Sequence, residues 1–158
     1  MTETQKQYMQ MAIDLSREGM MTGKGGPFGC IIVKDGEVVG KGCNSVASTN
    51  DPTAHAEVLA IRDACKNLGS FQLDGCELYT SCEPCPMCIG AIYWARPARV
   101  FFANDKKDAA EAGFDDNFIY EELNLPMEDR KIPMTRILHE DAPKVFQEWI
   151  YKDDKTLY

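Results

Sequence analysis

The sequence predicts an α/β fold in three layers, with a mixed sheet of five strands between covering helices. Three observations carry that expectation. A tight hairpin signal comes early, a strand–helix–strand order follows it, and 158 residues suffice for one domain spanning 1–158. A chain of this length buries roughly 68–70% of its unfolded surface, so one core forms without disulfide staples. Apolar residues make up 44% and charged residues 27% of the chain, which excludes wholesale disorder.

Residues 2–18 are predicted as a helix, because Tyr8, Ala12 and Leu15 recur at helical spacing and Thr2 with Gln5 forms a capping box. Met20 and Met21 are expected in the core. The glycine-rich stretch 23–29 lacks the Gly-Lys-Ser/Thr ending of a phosphate loop and is read as a tight entry into a buried strand at 28–34. Asp35-Gly36 is a two-residue hairpin turn into a second strand at 37–41. A polar loop (45–53) precedes a helix at 55–68, where Val58, Ile61, Cys65 and Leu68 share a face and Gly69 ends it. A third strand at 76–81, a short helix at 86–95 and a fourth strand at 99–103 make a parallel crossover. An acidic segment at 105–122, a fifth strand at 132–138 and a helix at 143–151 complete the chain.

Seventeen basic against 25 acidic residues give a net charge of −8, and residues 104–131 alone hold nine acids against four bases. Phosphate-binding surfaces are basic, so the balance argues against a long nucleic-acid partner. No apolar run approaches the ~18 residues of a membrane helix, and the start Met1-Thr2-Glu3-Thr4-Gln5 does not read as a signal peptide. The expectation is a soluble, cytoplasmic protein. Seven cysteines outside a secretory context do not suggest a disulfide framework. Cys30, Cys43, Cys65 and Cys76 are dispersed among apolar residues and read as small core side chains.

Cys82, Cys85 and Cys88 are clustered, and His55-Ala56-Glu57 stands upstream of them. One imidazole and two thiolates suit Zn²⁺ better than Mg²⁺ or Ca²⁺, and three protein ligands leave a fourth position for water. Cys85 and Cys88, three residues apart at a helix start, point to one side. Both predicted helix starts turn their positive ends toward that centre, which favours thiolate. Glu57 is the group able to take a proton from water activated there and deliver it. Two other readings remain at this stage: a redox pair, which would want a thioredoxin-like setting, and a closed structural site adding Cys82. Against the closed site, Cys82 falls at a strand end, and Glu57 would have no task.

His-x-Glu followed by Pro-Cys-x-x-Cys is the signature of zinc-dependent nucleobase and nucleoside deaminases. Beyond it, Gly-Gly-Pro-Phe-Gly at 25–29, Asn-Asp-Pro-Thr-Ala-His-Ala-Glu at 50–57, Tyr-Thr-Ser-Cys-Glu-Pro-Cys-Pro-Met-Cys at 79–88, Gly-Ala-Ile-Tyr-Trp-Ala-Arg-Pro at 90–97 and Ala-Ala-Glu-Ala-Gly-Phe-Asp-Asp at 109–116 resemble bacterial guanine deaminases of the cytidine/deoxycytidylate deaminase superfamily. The resemblance implies the cytidine-deaminase-like fold and one catalytic Zn²⁺ per subunit held by His55, Cys85 and Cys88. It implies Glu57 and Asp116 as proton shuttles. Phe28, Asn44, the backbone of Ala56, Trp94 and Phe114 would hold a flat purine. It further implies a homodimer in which the segment from about 140 to 158 is exchanged, placing Tyr158 over the partner's site. The implied reaction is hydrolysis of guanine at C2 to xanthine and ammonia. Guanosine deamination, transfer-RNA adenosine deamination and a non-catalytic zinc module are the alternatives. Without the resemblance, the three aromatics would read as core, Asn44 as a turn cap, Asp115 and Asp116 as a solvated loop, and Tyr158 as a frayed end.

Overall fold

The computed structural model describes residues 1–157; Tyr158 lies outside the described residues. Helix α1 (Glu3–Met21) begins on the expected capping box, with Thr2 accepting from the Gln5 amide and Gln5 returning the bond. Strands β1 (Gly29–Lys34) and β2 (Glu37–Cys43) pair antiparallel around Asp35 and Gly36, both at positive φ as a type I′ turn requires. A one-turn helix α2 (Val46–Thr49) interrupts the loop before α3 (Ala56–Leu68). Then come β3 (Glu77–Cys82), α4 (Pro86–Ala95), β4 (Arg99–Asn104) and the short α5 (Lys106–Glu111). Sheet order is β2-β1-β3-β4, with β1 antiparallel to both neighbours and β3 parallel to β4.

Alternation along the strands makes the three layers. Cys30, Ile32 and Leu78 face α3 and α4, packing on Ala56, Ala60, Ala64 and Ile92. Ile31, Val33 and Tyr79 face α1, where Tyr79 stacks on Phe101 with ring centroids 4.7 Å apart. The most buried face of α3 is Ala56, Ala60 and Ala64; Ile61, Cys65 and Leu68 pack at its margin and Val58 is only partly buried. The reason lies in β2. A Cβ on Gly42 would sit 2.2 Å from the Ala56 carbonyl oxygen, and one on Gly40 would sit 2.6 Å from that of Ala60. Small residues on both sides let the helix backbone rest on the strand, and this contact fixes where α3 begins.

Contacts divide the chain into Met1–Asp116 and a second unit from Asn117 onward. In the second unit, α6 (Asn117–Asn124) is followed by a 3₁₀ turn at Met127–Asp129 and by α7 (Ala142–Tyr151). The Arg130 guanidinium donates to the Leu123 and Leu125 carbonyls. The fifth strand expected at 132–138 is absent among the described residues: four strands form the sheet. Pro133 lacks a ladder donor, Leu138 turns to a φ of 50°, and Ile132, Ile137 and Leu138 are exposed. Met20 and Met21 are likewise exposed rather than in the core; the last turn of α1 faces β2 through Gly19, where a Cβ would sit 2.9 Å from that of Cys43. No helix among the described residues is long and apolar enough to cross a membrane.

Candidate active site

The site is assembled at the starts of two helices. His55 is the N-cap of α3 and Cys85 the N-cap of α4, both extended, and neither uses its side chain to cap. Pro86 at N1 suits the helix start because its missing N–H would have no intrahelical acceptor. Cys88, one turn on, is fully buried. The His55 Nδ1 lies 3.5 Å from the sulfur of Cys85 and 3.5 Å from that of Cys88, and all three ligand atoms fall within 4.8 Å of one another. Tetrahedral zinc with Zn–S of about 2.3 Å and Zn–N of about 2.0–2.1 Å requires an N···S separation near 3.6 Å. The donor set and its spacing therefore fit Zn²⁺.

The charges agree. The Cys88 thiol and His55 both hydrogen-bond the Cys85 sulfur and push its pKa down to about 4, while the same bond raises the His55 imidazole. Cys88 is pushed far up by its bond to Cys85, by burial and by Glu57. The protein alone supports one thiolate here; a dication at the centre supports both. Cys82 does not join them. Its sulfur faces the Asp105 carbonyl at 3.8 Å and lies outside the group of donor atoms formed by the other three, so the closed four-ligand arrangement does not form.

Glu57 is in the first turn of α3 and only 6% exposed. Its Oε2 receives the Cys88 thiol at 3.3 Å and its Oε1 the Thr80 hydroxyl at 3.1 Å. Burial holds its carboxyl above the usual range. His55 and Glu57 meet at one centre, two residues apart, because His55 is the extended cap and Glu57 the second helical residue.

A cavity of about 110 Å³ opens over this centre, lined by Phe28, Asn44, His55, Glu57 and Cys85 and, from the segment after β4, by Ala109, Phe114 and Asp116. That is small beside the roughly 300–1,000 Å³ of drug-sized sites. Phe28 and Phe114 meet edge to face with centroids 4.9 Å apart. Asn44 is buried, and its Oδ1 accepts from the Gly26 and Val46 amides, which leaves its NH₂ as the group offered to a ligand. Asp116 is half-buried, and burial, then the Cys85 thiolate, raise its carboxyl. Ala56 is buried at the first position of α3, where its amide has no intrahelical acceptor. Trp94 is not part of the lining; it is 65% exposed on the outer side of α4. Sequence reasoning missed Thr80 and Glu83. Thr80 was detectable as the polar member of the buried face shared with Leu78, whereas the Glu83 side chain on the cavity wall carries no sequence signal of its own.

Residues 2–104 match the family described as the cytidine and deoxycytidylate deaminase zinc-binding region. The chain is 58% identical over 142 residues to guanine deaminase of Bacillus subtilis, covering 90% of this chain and 91% of that protein. It is 39% identical over 127 residues to a tRNA-specific adenosine deaminase of Aquifex aeolicus, covering 80% and 81%. The crystal structure of guanine deaminase from Bacillus subtilis superposes with a TM-score of 0.95 at 54% identity, covering 100% of this chain and 99% of that one.

Proposed function

The chain belongs to the cytidine and deoxycytidylate deaminase zinc-binding family, and on that premise we propose that it is a zinc-dependent hydrolase converting guanine and water to xanthine and ammonia. The observation that carries the reading is a buried Glu57 beside a His/Cys/Cys donor set in a cavity the size of one flat base. The high identity to a guanine deaminase along nearly the whole chain selects the base. The acidic balance of residues 104–131 and the lower likeness to transfer-RNA deaminases weigh against a polynucleotide.

His55, Cys85 and Cys88 would hold the zinc, which when bound would lower the pKa of a water to near 7. The remaining steps belong to the chain. Phe28 and Phe114, packed edge to face, form one aromatic wall against the purine, and the Asn44 NH₂ with the Ala56 amide donates to its acceptor edge. Glu57 takes a proton from the water that attacks C2 and delivers it to ring N3. The tetrahedral carbon then expels its amine. Asp116, whose carboxyl is raised from its ordinary value by burial and then by the Cys85 thiolate, gives a proton to that nitrogen so that ammonia leaves. The carbon's hydroxyl proton returns to Asp116 as the new carbonyl forms, with Glu57 already ionised as it began.

The same reading extends to a cytoplasmic homodimer of one-domain chains exchanging the segment from about 140 to 158, with Tyr158 over the partner's cavity. Support comes from β4 as an edge strand of the sheet, from α4 having no charged residue while exposing Tyr93 and Trp94, and from exposed Ile132, Val145, Phe146 and Tyr151. The test supplies zinc-loaded protein with guanine and with guanosine. Xanthine and ammonia from guanine, with guanosine untouched, is the expected result. Turnover of guanosine alone contradicts the base-sized pocket.

A further inference from the structure

Glu83 lies on the cavity wall and has no part in the proton transfers above. Its backbone N–H donates to the Asn104 carbonyl at 2.8 Å, and its carboxylate Oε2 accepts from the Lys106 N–H at 3.1 Å. The neighbouring Cys82 sulfur faces the Asp105 carbonyl at 3.8 Å. Together these contacts tie the turn leading to Cys85 to three successive residues where β4 runs into α5. The parallel register, Cys82 opposite Asn104, brings the two strand ends side by side. Lys106 is the first residue of α5, so its amide has no intrahelical acceptor and Glu83 supplies one.

From that junction the chain leads directly to the cavity. Asp105 caps α5 by accepting from the Lys107 and Asp108 amides, Ala109 lines the wall, and the Phe114 N–H returns to the Ala109 carbonyl at 2.9 Å. Phe114 and Asp116 follow. Helix α5 contains no fully buried residue; Ala109 and Ala110 are half-buried, and Phe114 meets Phe28 edge to face, so apolar contact holds the segment at its far end while the polar contacts at 82–83 hold its start.

We propose that Glu83 is a positioning residue that fixes the 105–116 segment against the metal-ligand turn and thereby sets where Phe114 and Asp116 stand. The inference rests on the deaminase reading for its kinetic consequence only. Glu83 acts as a hydrogen-bond acceptor through Oε2, so a neutral isostere performs the same task. Lys106→Pro removes the donor from the other side at a first helical position that tolerates proline.

The test compares Glu83→Ala, Glu83→Gln and Lys106→Pro in the zinc-loaded full chain by amide hydrogen exchange and by guanine kinetics. Glu83→Ala is expected to speed exchange at the Lys106 amide and through α5 by about tenfold, and to lower kcat/KM by a similar factor at unchanged zinc content. Lys106→Pro is expected to reproduce the α5 exchange and kinetic losses, and Glu83→Gln to restore both. Unchanged exchange in Glu83→Ala overturns the proposal, as does Glu83→Gln behaving like Glu83→Ala or Lys106→Pro behaving like the parent. If the parent protein forms no xanthine, the deaminase reading fails while the exchange data still judge the clamp.

Discussion

In one part of the site, His55, Glu57, Cys85 and Cys88 rise from the starts of two helices whose next turns are buried against the sheet through Ala60, Ala64, Ile92 and Ala95. In the other part, Ala109, Phe114 and Asp116 sit on a segment whose six-residue helix has no fully buried residue and is held by a capping box and by hydrogen bonds to the 82–83 turn. The first wall is positioned by the core, so moving it costs global stability. The second is positioned by polar contacts at the surface and by the edge of Phe114 on Phe28, so it can change without refolding the domain. In the proposed mechanism the metal ligands and Glu57 stand on the wall held by the core, while Phe114 and the ammonia-releasing Asp116 stand on the wall held by fewer contacts.

The sharpest way to break that division is Glu57→Ala. It should lower guanine turnover by at least ~10²–10⁴-fold while zinc content, measured by atomic absorption, stays at the parent level; near-normal turnover would remove the chemistry from the buried wall. Next comes Gly42→Ala, whose new Cβ collides with the Ala56 carbonyl. Denaturant titration should show a loss of about 1–3 kcal/mol, accompanied by weaker zinc binding because His55 moves with α3. Thr80→Val removes the hydroxyl on Glu57 Oε1. It should lower kcat roughly fivefold with KM little changed, and Thr80→Ser should recover the rate.

The mildest effect sharpens the other wall. The Asp108 and Lys107 amides lower the Asp105 carboxyl below its usual value. A depressed folded-state pKa means the cap's contribution is complete above the unfolded value near 4 and is lost as pH falls through the folded one. Protection of the α5 amides, taken relative to their intrinsic exchange rate at each pH, should therefore fall below about pH 4, before the core opens, and Asp105→Asn should remove that fall. Simultaneous opening of α5 and the core in acid would erase the distinction between the walls.

The buried wall was legible in the sequence because its signals are local. A capping box at Thr2, a hairpin at Asp35-Gly36, helical starts at His55 and Cys85, and i, i+3 spacing of Cys85 and Cys88 each act within a few residues. Helix α5 was not legible: six residues give too short a period, and its start is held by Glu83, 23 residues away. The alanine face of α3 was hidden because its partner is backbone at Gly40 and Gly42, which leaves no apolar pattern to read. The strand expected at 132–138 failed for the opposite reason, since apolar spacing alone does not supply a ladder partner.

The most direct test of the whole account is a titration of metal-free protein with Zn²⁺ while guanine turnover is followed. Turnover should rise in proportion to added zinc and break at one equivalent per chain, with Glu57→Ala taking up the same equivalent and forming no xanthine. Full activity before zinc is added, or a saturated site that leaves guanine unchanged, would contradict it.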